Sequence, residues 1–263
     1  MSERLDPDHH LRGLADPGTD TVILVPGIDG TALLFYRQLP LLAQHFNVLS
    51  FPLPDDPDAS MEDLVADLAR LIGEVSDHGA ILLGESFGGA LSMSTALAHP
   101  ELVRGLVVVN SFPYLDQRVQ LRLAPLALKV MPWGLMPIVR RFTEAKLHSP
   151  HCLDEDLAEF HQRSRAIGQH GYRRRLEIIR GYDIRNRLSD IEAPTLFLAG
   201  DRDRLVPSVD WGRFMVDRVP NADLQILEGY GHVCLINHDL DVSEPVANWW
   251  STRPSANHPG GDG

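Results

Sequence analysis

The chain predicts an α/β fold, a mostly parallel sheet with helices on both faces. Three observations point there. Short, continuous, β-branched apolar runs such as Thr21-Val22-Ile23-Leu24-Val25 read as strands buried on both faces. These runs alternate with helical patterns, as parallel sheets require. The Gly-rich stretches, acids and histidine that look chemically useful fall where strands end, which is where such sheets place their sites.

In chain order, residues 1–20 are polar with Pro and Gly and are expected to form an irregular arm. Pro26-Gly27-Ile28-Asp29-Gly30 breaks the first strand, and 33–44 is expected to be helical. Phe46-Asn47-Val48-Leu49-Ser50-Phe51 reads as the next strand, stopped by Pro52. Ser60 is an N-cap with Asp63 three residues on, and Leu64, Leu68, Leu71 and Ile72 repeat at helical spacing behind it. A strand at 79–84 leads into a helix that Pro100 ends, and 102–109 is another strand. No strand pattern stands out from Ser111 to about Ile191. Strands resume at Thr195-Leu196-Phe197-Leu198-Ala199 and Leu224-Gln225-Ile226-Leu227, with helices near 208–218 and 241–250. Residues 251–263, rich in Pro, Gly and Asn, read as a disordered tail.

The 263 residues suit one α/β domain with an insertion, and an apolar fraction of 44% suffices for its core. A net charge of −12 argues against a nucleic-acid binder, which needs a basic face. Two Cys do not make a disulfide scaffold. The N-terminus lacks an apolar signal region, and no uncharged apolar run reaches the ~18 residues of a membrane span, so a cytoplasmic location is expected.

Gly84-Glu85-Ser86-Phe87-Gly88-Gly89, between an apolar strand and an Ala/Leu/Met-rich helix, has the context of a nucleophile elbow. A Gly-rich turn with a helix-capping Ser is the plainer reading of the same letters. A Ser hydroxyl needs a general base, and the base needs an orienting carboxylate, in the chain order Ser, acid, His. The candidate acid is Asp203, just beyond a strand, with Asp201 its rival. The candidate base is His232 in Gly229-Tyr230-Gly231-His232. The oxyanion needs backbone donors, expected from Phe87 and from Ile28 in the loop after the first strand. Asp29 is expected to point away from that hole and serve the next turn. Glu85 reads either as a structural hydrogen-bonder below the elbow or as a tuning group. No His spacing suggests a zinc site, and neither a metal nor a cofactor is expected.

Pro26-Gly27-Ile28-Asp29-Gly30-Thr31 together with Gly84-Glu85-Ser86-Phe87-Gly88-Gly89 resembles the α/β-hydrolase fold, over about 21–250. It is similar to the esterase/lipase/thioesterase-like branch, which includes the hydrolase portion of plant phytyl ester synthases. Many members have His-Gly where this chain has Pro26-Gly27. The short N-terminus implies a reduced sheet of about six strands. The resemblance divides the chain into a core of 21–110 and 192–250 and a helical cap of 111–191. Trp133, Leu135 and Met136 are candidate substrate contacts in the cap's apolar first half, and Pro125, Pro132 and Pro137 suit a mobile lid. The second half is basic, with Arg163, Arg165, Arg173, Arg174, Arg175, Arg180, Arg185 and Arg187. Pairing with Glu159, Glu177, Asp183 and Asp190 on a solvated face is the simpler explanation, and attraction of an anionic substrate the other. The implied activity is hydrolysis of a small-molecule carboxylic ester through an acyl-enzyme. Thioester hydrolysis, acyl transfer, lyase chemistry or ligand reception on the same scaffold are the alternatives.

Overall fold

The computed structural model describes residues 12–13, 19–115 and 132–253. Most of the expected arm, the tail beyond Arg253 and the Leu-rich stretch containing Leu121, Leu123, Leu126, Leu128, Val130 and Met131 lie outside them, as does Pro125.

Seven strands form one sheet: β1 (Arg12–Gly13), β2 (Thr21–Val25), β3 (Asn47–Ser50), β4 (Ala80–Glu85), β5 (Val103–Val109), β6 (Thr195–Gly200) and β7 (Ala222–Leu227). Their order is β1-β3-β2-β4-β5-β6-β7. Six strands are parallel, and the two-residue β1 pairs antiparallel with the edge of β3, Arg12 opposite Leu49. Part of the segment expected to be irregular thus adds a short edge to the sheet.

Period-two alternation sorts the buried strands onto two cores. Ile23 and Val25, Ala80 and Leu82, and Leu106 and Val108 face one layer, packed by helices α2 (Met61–Val75) and α3 (Phe87–Ala98). Val22 and Leu24, Ile81 and Leu83, and Val107 and Val109 face the other, covered by Val246 and Trp249 of the last helix, Ser243–Ser251. Between residues 33 and 44 a short 3₁₀ turn, Leu33–Phe35, precedes α1 (Gln38–Leu42). Asp29 and Thr31 shape the turn before it, and Pro40 falls in the first helical turn, where its missing N–H costs no ladder bond. The Ser60–Asp63 capping box closes reciprocally, the Ser60 hydroxyl accepting from Asp63 N and the Asp63 carboxylate from Ser60 N.

Between β5 and β6 run α4 (Met136–Leu147), α5 (Asp154–Arg163) and α6 (Gln169–Gly181), and α7 (Ser208–Val216) follows β6. From β2 the chain steps to β3 on one side, then crosses to β4 on the other. The switch point therefore lies between β2 and β4, where open α/β sheets leave a crevice at their carboxyl ends. Val25 sits in register with Gly84, so the loop after β2 and the turn after β4 leave the sheet side by side.

Candidate active site

Ser86 occupies the turn between β4 and α3 with φ 54° and ψ −116°, a strained backbone that a side chain rarely adopts. Three neighbours hold it there. Its N–H donates to Val109 O at 2.8 Å, its carbonyl accepts from Ser111 Oγ at 2.7 Å, and Gly89 N reaches the same carbonyl at 3.1 Å. The turn is tight enough to demand glycine: a methyl at Gly84 would collide with the Gly88 carbonyl, and one at Gly88 with the Val25 carbonyl.

His232 Nε2 lies 3.0 Å from Ser86 Oγ, and His232 Nδ1 lies 2.7 Å from Asp203 Oδ2. The structure thus joins the three residues singled out in the sequence, and of the two candidate acids Asp203 is the one facing the imidazole. Asp201 instead accepts from Gly229 N at 2.7 Å and shapes the loop that carries His232. Asp203 is the better-satisfied carboxylate: Leu205 N and Val206 N each donate to Oδ1 at 2.9 Å, and Ser208 Oγ to Oδ2 at 2.5 Å. Burial would raise its pKa, but the His232 charge and these hydrogen bonds outweigh burial and hold it below the usual value. For His232 burial likewise disfavours the charge, yet Asp203 outweighs it and the pKa is raised.

Asn110, at the end of β5, was not singled out in the sequence. It is buried at φ 47°. Its Nδ2 donates to Gly231 O at 3.0 Å and His232 O at 2.8 Å, while its Oδ1 accepts from Gly200 N at 2.7 Å. One amide therefore ties the end of β6 to the His232 loop. Its sequence signal was a polar residue directly after the apolar run Val107-Val108-Val109. The His232 loop is also fastened to the end of α4, since Val233 N donates to Leu147 O at 2.8 Å and Gly231 N to Ser149 Oγ at 3.0 Å.

Across the crevice, Gly27 lies against the Ser86 side chain. Gly30 N donates to Gly27 O at 3.1 Å, which points the Ile28 N–H of the same trans peptide the opposite way. Among the described residues neither Ile28 N–H nor Phe87 N–H has a hydrogen-bond partner. Asp29 Oδ2 accepts from Thr31 N at 3.0 Å and Thr31 Oγ1 at 2.8 Å, serving the turn.

Glu85 is buried beneath the elbow, and among the described residues its Oε1 has no partner, so the structural hydrogen bond is absent at that oxygen. Burial, reinforced by Asp29 and Asp203 and opposed by His232, pushes its pKa up to about 8. At neutral pH the carboxyl is mainly protonated.

Trp133 and Met136 border a hollow of about 410 Å³ with Gly134, Arg141, His161, Ser164 and Arg165, and Ser86 is not among its lining residues. Leu135 is 44% exposed. The basic stretch largely follows the simpler reading, with Arg163 on Glu159, Arg174 on Glu177, Arg185 on Asp183 and Arg187 on Asp190. Arg175 departs from it and is buried. Among the described residues no three His, Cys, Asp or Glu side chains converge as a metal site, and no helix is long and apolar enough to cross a membrane.

Residues 22–246 match the alpha/beta hydrolase family, and the chain belongs to it. It is 28% identical over 255 residues to a protein of Serratia proteamaculans named putative carbamate hydrolase RutD, covering 91% of this chain and 94% of that one. It is 25% identical over 260 residues to an uncharacterized hydrolase of Bacillus subtilis, YugF, covering 89% and 91%. The solved enol-lactonase of Burkholderia xenovorans superposes with a TM-score of 0.79 at 17% identity, over 92% of this chain and 96% of that one, and shares the fold.

Proposed function

We propose that this member of the alpha/beta hydrolase family is a serine hydrolase that cleaves a small-molecule carboxylic ester through an acyl-enzyme. The observation that carries the reading is the unbroken line from Asp203 through His232 to Ser86 Oγ at a strained turn.

Each group has a step. Ser86 Oγ attacks the ester carbonyl carbon while His232 Nε2 takes its proton. Asp203 fixes the tautomer that leaves Nε2 free and stabilises the imidazolium. The charge on the former carbonyl oxygen is met by the Ile28 and Phe87 N–H groups, which have no partner among the described residues. His232 then gives its proton to the departing alkoxide. Water, deprotonated by His232, attacks the acyl carbon, and Ser86 leaves with the proton. Asp29 turns its carboxyl onto Thr31 and Glu85 is mainly neutral at pH 7, which limits the opposing charge aimed at the hole.

A second reading follows from the relative named putative carbamate hydrolase, because the same attack on a carbamate carbonyl needs the same groups. Turnover of p-nitrophenyl esters from acetate to palmitate, beside an aryl carbamate and a thioester, separates the substrate classes. Ser86→Ala is expected to lower kcat by roughly 10³-fold or more. Full activity in that variant would refute the nucleophile. A preference for carbamate or thioester over every ester would replace the ester assignment while keeping the mechanism.

A further inference from the structure

Resting on this reading, we infer that Arg175, carried by an inserted helix, is a positioning residue for the oxyanion loop. It sets the Ile28 N–H through the carbonyls that follow it.

Arg175 projects from α6 into the loop after β2. Its Nε donates to Ile28 O at 3.0 Å, its Nη2 to Asp29 O at 3.3 Å and its Nη1 to Pro54 O at 3.1 Å. The first two bonds hold the consecutive peptides 28–29 and 29–30. Gly30 N holds the peptide before them through Gly27 O, and Leu53 N donates to Gly30 O at 2.7 Å. Every carbonyl from Gly27 to Gly30 thus has a donor, two of the four from one guanidinium. A planar fork with donors in fixed directions suits consecutive carbonyls, which a lysine ammonium could not reproduce. Gly30 has φ 74°, and a methyl there would collide with the guanidinium, so the loop's glycine and the arginine are fitted to each other.

The helix is seated for this contact. Asp55 Oδ1 accepts from Gly171 N at 2.5 Å in the first turn of α6, where a carboxylate is favoured, and Gly171 lets that turn lie against Pro54 O. The guanidinium is 3% exposed and has no ion-pair partner within salt-bridge distance among the described residues. Its charge is met by carbonyl dipoles, with the Asp29 carboxyl nearby. A buried cation behind the loop also favours negative charge at the hole. The inserted helices are in this view a brace on both sides of the crevice: α6 holds the oxyanion loop and the end of α4 holds the His232 loop.

The test is steady-state ester kinetics on the full chain. Arg175→Ala is expected to lower kcat roughly 10- to 100-fold, less than the loss of an oxyanion donor itself, with KM within about threefold. Millimolar guanidinium chloride should restore several-fold of that loss, and equal sodium chloride should not. Arg175→Lys, which keeps the charge but not the fork, should lie between, and inhibition by an aryl boronic acid should weaken in parallel with kcat/KM. Arg187→Ala, from the same basic stretch, is the control and should behave as wild type. A folded Arg175→Ala with wild-type kcat, or a rise in KM alone, overturns the proposal, as does loss of fold in both Arg175 variants. Ser86→Ala in the same assay keeps the two levels apart: full turnover there refutes the triad reading, whereas its loss beside an Arg175→Ala with wild-type kcat refutes only the brace.

Discussion

Replacing Glu85 by Gln should change the pH dependence of stability. The carboxyl is buried, its Oε1 lacks a partner among the described residues, and its pKa is raised from the usual 4.5 to about 8. A group whose folded pKa exceeds its unfolded value contributes stability that is complete below the unfolded pKa and lost as pH rises through the folded one. For Glu85 that window runs from about pH 4.5 to about pH 8. Each pH unit within it removes roughly 1–1.5 kcal/mol, so the whole window is worth about 4–5 kcal/mol, an order-of-magnitude figure. Glu85→Gln does not titrate and lacks this loss. Urea melts followed by tryptophan fluorescence, for wild type and Glu85→Gln at each pH unit, give the difference between them. Titrating groups remote from Glu85 cancel, and His232, Asp29 and Asp203, whose charges act on Glu85, add a smaller contribution. The difference should move in favour of the variant as pH rises and level off above about pH 8. The baseline offset reflects how well the amide fits, but the slope does not. A difference constant across the window would refute the buried neutral carboxyl.

Four further outcomes follow from the structure. The acid limb of kcat/KM against pH should have its midpoint above the ordinary histidine value of 6.5, because Asp203 outweighs burial at His232, and activity should rise as the imidazole loses its proton; a midpoint below 6.5 would contradict this. Asp203→Asn should remove the main opposition to burial at His232, shifting that limb down and lowering kcat by roughly 10³–10⁴-fold. Asn110→Ala strands two buried carbonyls and the Gly200 N–H, so chemical denaturation should show a loss of roughly 1–3 kcal/mol, with a fall in kcat as the His232 loop loosens. Gly88→Ala sets a methyl into the backbone of β2 and should cost more than about 3 kcal/mol in a thermal or urea melt; a near-native melt would contradict the geometry of the turn.

The strands were legible because parallel strands buried on both faces leave uninterrupted Val/Ile/Leu runs, and the runs at 21–25, 80–85, 103–109 and 195–200 are strands in the fold. The elbow was legible because its glycines sit in one short motif, Gly84 facing the Gly88 carbonyl, although Gly88 answers to the distant Val25 carbonyl. What escaped were contacts between segments far apart in sequence. Asn110 acts 121 and 122 residues away, on carbonyls that carry no side-chain signature. Arg175 reaches the loop after β2, 147 residues upstream, and in Arg173-Arg174-Arg175 nothing local distinguishes the buried arginine from its neighbours. The two-residue strand at Arg12–Gly13 escaped because its pairing depends on the edge of β3 rather than on its own composition. Trp133 and Met136 border a hollow that apolarity alone does not specify.

On the proposed mechanism Ser86 forms the covalent intermediate. The most direct measurement is peptide mapping by mass spectrometry after reaction with an aryl organophosphate. One adduct is expected, on the peptide carrying Ser86, absent in Ser86→Ala and strongly slowed in His232→Ala. An adduct on another residue, or ester turnover persisting in Ser86→Ala, would contradict it.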